Sequence, residues 1–587
     1  MAAPLTKTLC VFCRYRSRTN HSLVTSKTAN IFESKFVSIL HGKKYSIKPS
    51  TKVYTVSKSK KVKESNRTDV SDEKQAKATK TKAGAIPLFN QILEQKYSEA
   101  RRSILVRTYN VENTLDLLST YGRVSHAQLI MPEKSFLLVE FSNEINAVKV
   151  QNSSQLFNEA NQFPMRTRIL CDTKSHLPLK KRRQVPEVLD GSYDNKISEV
   201  YPHLPTVDKE IEMLCERRLL DDQDLRLRFF ACLVIEDMLQ SVLPESRVIP
   251  YGSCMNGFGW WNSDLDMMIC LDNELKTSHY KGSTGNQQAL KFLTEIFNTE
   301  RQLAQRTLSF VAALLELSPR VNSMLKILGA RVPIIRFKHN ALSLPCDVSL
   351  HAVDSIKMTE LLYLMSVCDS RVKPLLCAIK QWAIAHNLTS SGEQQKPTTI
   401  GFIMMLIFFL QTRTPAVLPT FRQLQTLAKH PSDKFFIDDV EYGLPKNPSL
   451  MPISENKESL ENLLLGFFEY YSQFDFDKKA ISITEGATFE KQADSRPIYI
   501  ENPLSVSLNI CQNVGSSQLS ELTAAMKEAA LKLKSAHNEP NRSALSILFE
   551  TNEPHPVVEA ADLFREITPD QATDNQSGSV VNSEVVH

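Results

Sequence analysis

Between Tyr251 and Met267 the chain reads Tyr-Gly-Ser-Cys-Met-Asn-Gly-Phe-Gly-Trp-Trp-Asn-Ser-Asp-Leu-Asp-Met, ending on two carboxylates, Asp264 and Asp266, one residue apart. On a strand, residues i and i+2 share a face, so both carboxylates point the same way. Two like charges that close repel, and a divalent cation between them relieves the repulsion. The chemistry is in-line phosphoryl or nucleotidyl transfer, in which two Mg2+ or Mn2+ ions polarise the attacking hydroxyl and stabilise the leaving pyrophosphate. Gly252 and Ser253 supply the other half: glycine admits close backbone approach, and serine and amide N–H groups can hold phosphate oxygens. An isolated Asp-x-Asp is ordinarily a solvated strand end. Here Val248-Ile249-Pro250-Tyr251 precedes the stretch and Met267-Met268-Ile269-Cys270-Leu271 continues it, so the acidic pair emerges from a buried element.

Those residues need a scaffold. Val207-Asp208 gives a cap-like start to a long helical segment with apolar stripes at Ile211, Leu214, Leu219 and Leu220, then at Phe229, Leu233, Ile235 and Leu239. A strand to Tyr251, the Gly-Ser pair, a helical turn and the acidic strand follow. Elements in this order and spacing resemble the DNA polymerase beta-like nucleotidyltransferases, a family that requires a third carboxylate from a neighbouring strand. Arg331-Val-Pro-Ile-Ile-Arg-Phe337, a polar turn at His339-Asn340 and Ser343-Leu-Pro-Cys-Asp347-Val-Ser-Leu350 read as a β-hairpin able to pair with the acidic strand. The resemblance makes Asp347 the third catalytic and metal-binding residue beside Asp264 and Asp266.

From Thr359 the chain turns helical. Arg371 to His386, containing Lys380-Gln-Trp382-Ala383, resembles the lysine-x-tryptophan-alanine helix of the noncanonical poly(A) and poly(U) polymerases. The resemblance implies that Lys380 faces the triphosphate, where a lysine neutralises charge on the leaving pyrophosphate. Thr398-Thr399-Ile400-Gly401-Phe402 stands in the place of a Ser-Ser-Tyr-Gly-Tyr motif. Thr399 keeps the hydroxyl; Ile400 replaces the base-stacking tyrosine, and Met358 replaces an asparagine that reads the ribose in relatives. Tyr499-Ile-Glu-Asn502-Pro503-Leu-Ser-Val-Ser-Leu-Asn509 resembles the Asp-Pro and Asn segment of the poly(A)-polymerase-associated region, in which Asn509 either reaches the nucleotide or closes the fold.

Composition bounds the rest. At 587 residues, with 42% hydrophobic residues, the chain can build several cores, and a net charge of +5 does not by itself announce a nucleic-acid binder. Eleven scattered cysteines, with a single C-x-x-C at Cys10 and Cys13, argue against a zinc site. The most apolar run, Ile400 to Leu410, falls short of the about 20 residues that span a bilayer, so it reads as a core helix and no membrane insertion is expected.

The domain plan is α+β. Residues 1–42 are basic and free of acidic residues until Glu33, as in a mitochondrial presequence, and 43–85 form a basic linker. Residues 86–172 read as β-α-β-β-α and resemble an RNA-recognition-motif module, with Lys134 to Phe141 as the stacking strand; Leu138 stands at its central aromatic position and Ser135 at its glycine. RNA stacking and self-association into a homodimer both remain open for it. A linker over 173–206 carries Lys180-Lys181-Arg182-Arg183. The catalytic palm occupies 207–357, interrupted by a loop and helix insertion at 272–305; a helical poly(A)-polymerase-associated domain occupies 358–550, and an acidic tail 551–587.

In sum the chain resembles the mitochondrial poly(A) RNA polymerase family. This implies template-independent addition of AMP from ATP to RNA 3′ ends, mitochondrial mRNA among them, in the matrix. A terminal uridylyltransferase would use the same catalytic residues. A tRNA CCA-adding enzyme lacks its usual helical signature here, and a noncatalytic RNA-binding scaffold would not need three carboxylates.

Overall fold

The computed structural model describes residues 88 to 551, apart from breaks at 131–135, 159–160, 165, 172–203, 245, 272–298, 319, 351–352, 390–394, 493–495, 537 and 540. The leader, the 43–85 linker, the Lys180 to Arg183 cluster, most of the 272–305 insertion and the tail beyond 551 therefore lie outside the described residues.

Helix α1 (Phe89–Arg101) leads into β1 (Ser103–Arg107), α2 (Val111–Ser119), β2 (Val124–Ile130), β3 (Phe136–Phe141), α3 (Glu144–Asn152), the hairpin β4 (Gln155–Asn158) and β5 (Asn161–Pro164), and β6 (Ile169–Cys171). Asn110 and Asn143 cap α2 and α3, each accepting a backbone N–H three residues on. Four strands form one sheet in the order β2-β3-β1-β6. Period-two alternation sorts its side chains. Ile104, Val106, Leu137, Val139 and Phe141 pack beneath α2 and α3, while Leu105, Ile130, Leu138 and Ile169 join the core of the following domain. Leu138, the central aromatic position of the sequence reading, is thus turned into the protein, and Phe136 packs against the same core.

The palm begins with α4 (Val207–Arg218) and α5 (Asp222–Leu239), continues through β7 (Arg247–Pro250), β8 (Leu265–Cys270), α6 (Glu300–Glu316), β9 (Val321–Ile327), β10 (Ile334–His339) and β11 (Leu344–Leu350), and passes into α7 (Val353–Cys368). The sheet order is β7-β8-β11-β10-β9. Strand β8 runs parallel to β11 and antiparallel to β7, and β10–β11 is the expected hairpin. Leu265, Met267 and Ile269 of β8 and Cys346, Val348 and Leu350 of β11 enter the core with Phe229, Phe230 and Leu233 of α5 and Leu308, Val311 and Leu315 of α6. The alternate residues of β8 and β11, Asp266, Asp347 and Ser349 among them, point away from that core.

The single long helix read from Asp208 is in fact two. Leu219 takes an extended conformation, and the chain there pairs across to the acidic loop: Leu220 N–H donates to the Gly259 carbonyl at 2.9 Å and Trp261 N–H to the Arg218 carbonyl at 3.0 Å. Asp221 then starts α5 with a capping box closed by Asp224. The loop and helix expected over 272–305 is met by α6 only from Glu300, and the helix runs on past the expected end to Glu316; strand β9 was not foreseen, being an edge strand with mostly exposed side chains, which leaves little hydrophobic alternation to read.

The helical domain comprises α8 (Val372–Ala385), α9 (Thr399–Thr412), α10 (Phe421–Leu427), the hairpin β12 (Lys434–Ile437) and β13 (Val440–Gly443), α11 (Leu460–Ser472), a sheet of β14 (Lys479–Ser482), β15 (Ala487–Glu490), β16 (Ile500–Asn502) and β17 (Ser505–Asn509), then α12 (Ser516–Ala536) and α13 (Ala544–Phe549). The apolar run Ile400 to Leu410 is the central helix α9, buried from Gly401 through Gln411. No described helix is long and apolar enough to cross a membrane. The aromatics of α11 are core: Phe468 meets Trp382 of α8 at 4.6 Å between ring centroids. Helix α4, although it precedes the palm strands, lends Ile211, Leu214 and Cys215 to this helical core. Its buried Glu210 accepts from Ser543 Oγ and Leu545 N–H at the start of α13.

Charge ties the N-terminal module to α5. Arg226 pairs with Glu140 of β3 and with Glu99 of α1, both carboxylates 7% exposed, and buried Lys96 bridges Glu99 and Asp222. Removing one partner of such a buried set strands the others. Arg226→Ala should therefore cost about 2 kcal/mol, seen as a lower melting midpoint by calorimetry, whereas Lys209→Ala, which breaks the exposed Lys209–Glu212 pair, should leave the midpoint in place.

Candidate active site

Strand β7 delivers the chain to the Gly252–Cys254 turn, and Tyr251 N–H donates to the Asp266 carbonyl at 3.0 Å, which sets that turn directly beside the acidic strand. Gly252 has φ of +63°, and a Cβ added there would lie 2.5 Å from Asp266 Oδ2. Glycine is required on both counts, conformation and space. The Gly252 N–H donates to Thr359 Oγ1 at 2.9 Å, so Gly252 contributes room rather than a free donor. Thr359 in turn donates to the Ser355 carbonyl at 2.6 Å, which fixes the turn to α7.

Asp264 sits at the mouth of β8 and Asp266 within it, on one face. Parallel register sets Asp347 of β11 directly opposite Asp266. Burial is the largest influence on both members of the pair: it raises the Asp264 carboxyl above its usual range, and it pushes Asp266 to about 7, with the charges of Asp347 and Asp264 adding to it. Neither carboxylate has an ion pair or side-chain hydrogen bond among the described residues. Asp347 differs: Arg336, its cross-strand partner on β10, donates to it through Nε at 2.8 Å and Nη2 at 2.7 Å. Accordingly no three ligating side chains among the described residues converge as a ready-made metal centre. The donor set nonetheless suits a hard divalent cation: oxygen ligands only, with two carboxylates on which Arg336, Arg228 and Lys380 act at a distance but which no cation pairs directly among the described residues.

Facing the carboxylates from α8 is Lys380, with its Nζ 4.1 Å from the centroid of the Trp260 ring. Burial lowers its pKa to about 8, opposed by Cys377 and Asp264. A cleft of 620 Å³ joins these groups, lined by Gly252, Ser253, Asp264, Asp266 and Lys380 from the expected set. Thr399, at the first turn of α9, also lines it, as do Met358 and Ile400, the two positions that depart from relatives. Asp347 lies just behind this surface at 8% exposure. Asn509 does not line the cleft: its amide accepts from the Ile500 and Cys511 N–H groups and donates to the Ile498 carbonyl. Of the two roles left open for Asn509, its contacts are those of fold closure.

Two arginines escaped the sequence reading. Arg336 alternates with apolar residues in β10, and a hairpin register counted from the turn would have put it opposite Asp347. Arg228 is 1% exposed inside α5 and donates through Nη2 to the Trp261 and Ser263 carbonyls, at 2.8 and 2.9 Å, pinning the loop that ends in Asp264. In sequence it looks like any charged residue in a helix.

A palm sheet with carboxylates on adjacent parallel strands, a Gly-Ser turn against them and a helix that presents a lysine across the cleft defines a nucleotidyltransferase. The family model described as "Poly(A) RNA polymerase, mitochondrial-like, central palm domain" matches residues 207–367, and that of the "Cid1 family poly A polymerase" matches 459–507. The chain is 32% identical to the human mitochondrial poly(A) RNA polymerase over 449 residues, 75% of this chain and 76% of the relative. The crystal structure of mtPAP in apo form superposes with a TM-score of 0.72 at 26% identity, over 79% of this chain and 99% of that one. Its complex with ATPγS superposes at 0.69, with 27% identity and the same coverage. The chain belongs to the mitochondrial poly(A) RNA polymerase family and is a polynucleotide adenylyltransferase.

Gly252→Ala should drive Asp266 from its position. The expected result is a loss on the order of 100-fold in kcat/KM, with a stability cost of about 1–2 kcal/mol from the left-handed backbone, read by RNA-extension kinetics and thermal melting.

Proposed function

We propose that the cleft binds ATP beside the 3′ end of a mitochondrial RNA and transfers AMP to it without a template. The RNA 3′ oxygen attacks the α-phosphorus, the bond from that phosphorus to the β-phosphate oxygen breaks, the hydroxyl proton is released and pyrophosphate leaves. Asp264, Asp266 and Asp347 would hold two Mg2+ or Mn2+ ions, which lower the pKa of the attacking hydroxyl and neutralise the leaving group when bound. Gly252 gives the triphosphate room, and Ser253, which lines the cleft, offers a hydroxyl to a phosphate oxygen. Lys380 answers the charge that grows on pyrophosphate, and Thr399 offers a hydroxyl at the start of α9.

The observation that carries this reading is the opposition of Asp264 and Asp266 to Lys380 across one cleft: anions for metals on one side, a cation for phosphate on the other. The base end of the cleft is formed by Met358, Ile400, Leu504, Leu508 and Ile510, with Asn502 as a polar group. Apolar side chains there favour stacking contact over a dense hydrogen-bond code. Family membership supports mitochondrial residence, and the acid-free N-terminal composition is consistent with import to the matrix. The 86–172 module presents Leu117 and Ile145, 53% and 66% exposed, on its outer helices; they are the surface through which we read a homodimer.

Purified protein given RNA and each nucleoside triphosphate separately should extend with ATP in the presence of Mg2+ or Mn2+, and extension with UTP alone would sink the adenylation reading. Asp264→Ala combined with Asp266→Ala should lower the rate by about a thousandfold or more; undiminished tailing means that the centre is elsewhere. Leu117→Asp with Ile145→Asp should shift sedimentation toward the monomer.

A further inference from the structure

Lys380 is partly buried, yet it has no hydrogen bond and no ion pair among the described residues. What it does have is the face of Trp260, 4.1 Å from its ammonium nitrogen. Trp260 is 4% exposed and stands four residues before Asp264. Its backbone N–H donates to Ser263 Oγ at 3.0 Å, and its backbone forms a bridge with Leu219. The break between α4 and α5 therefore fixes the indole. Arg218 approaches the same ring at 5.2 Å from its guanidinium carbon, so two cations share one aromatic platform.

We infer that Trp260 is a positioning residue that seats the Lys380 ammonium at the triphosphate end of the cleft through a cation–π contact. The proposal deepens the reading above and rests on Lys380 meeting the triphosphate. The physical advantage lies in what the ring is not. A carboxylate partner would hold Lys380 equally well, but the carboxylate that acts on it is Asp264, in the same cleft, and an ion pair there would use an oxygen required for a metal. An aromatic face attracts the ammonium without consuming a carboxylate oxygen, and it leaves the N–H donors aimed outward. Because one loop carries both Trp260 and Asp264, the spacing between the phosphate cation and the acidic pair is set within five residues.

Burial lowers the Lys380 pKa and Arg218 adds to it, while Cys377 and Asp264 oppose them; the ring, which attracts only the charged form, acts on the opposing side as well. Weakening the ring should lower the lysine pKa further. The alkaline limb of activity, where Lys380 loses its proton, then moves to lower pH.

The test replaces Trp260 in the full chain, by nonsense suppression, with tryptophans bearing one to four ring fluorines, which keep the shape and progressively drain the π face. The expected result is a stepwise rise in KM for ATP, totalling about two- to thirtyfold, with a smaller change in kcat and an acidward shift of the alkaline limb. Trp260→Phe should retain most of the wild-type behaviour, and Trp260→Leu should match the most fluorinated member. In a Lys380→Gln background the fluorine series should be flat. If Lys380→Gln raises KM while the series is flat in the wild-type background, the cation–π seat is wrong and the triphosphate role of Lys380 stands. If Lys380→Gln leaves KM unchanged, the role of Lys380 itself is wrong.

Discussion

Like charge held out of water is the constraint around which this molecule is arranged. Three carboxylates occupy neighbouring positions on two parallel strands, and burial together with mutual repulsion carries Asp266 to about 7. The surrounding cations are distributed unevenly. Arg336 takes both oxygens of Asp347, Arg228 acts on the backbone that precedes Asp264, and Lys380 is turned toward the open cleft. The third carboxylate is thus locally compensated, and the first two, held toward their neutral form by burial and mutual repulsion, line the open cleft without a directly paired cation among the described residues. That asymmetry leaves Asp264 and Asp266, and not Asp347, with oxygens that no side chain takes among the described residues.

The chain path shows how such a cluster is kept rigid. Helix α4 belongs to the helical core, although it comes before the palm strands, and it is anchored there by Glu210 at the start of α13. The chain must leave that core, break at Leu219 and Leu220, and begin α5 in the palm. At the break its free backbone groups are taken up by Gly259 and Trp261 of the acidic loop. Helix α7 crosses in the other direction and holds the Gly252 turn through Thr359. The cleft therefore has two covalent crossings, each hydrogen-bonded to the loop or turn that carries its chemistry.

Much of this was legible in the sequence, for identifiable reasons. Asp264 and Asp266 could be placed because strand periodicity is short and the flanks are strongly apolar, and Asp347 because the hairpin around it has a polar turn. The run from Ile400 to Leu410 could be read as core because its length excludes a membrane span. What was not legible depends on partners remote in sequence. Arg228 and Arg336 gain their roles from the backbone and the strand they face, and neither has a local signature. The break at Leu219 was masked by leucines that continue a helical stripe while their backbone pairs with a loop forty residues on. Asn509 illustrates the converse case, since a motif position that could touch a nucleotide is occupied by three backbone groups.

The sheet of the N-terminal module has its second face built into the palm, where Leu105, Leu138 and Ile169 share a core with Phe229 and Phe230. The module and the catalytic sheet are in this sense one hydrophobic body assembled from two stretches of chain. Excising the module would strip apolar cover from α5, whose inner side also supports the acidic strand. A truncated enzyme that loses activity would then be reporting a breached core, and whether the module has a role of its own has to be sought with single surface substitutions that leave that shared interior intact.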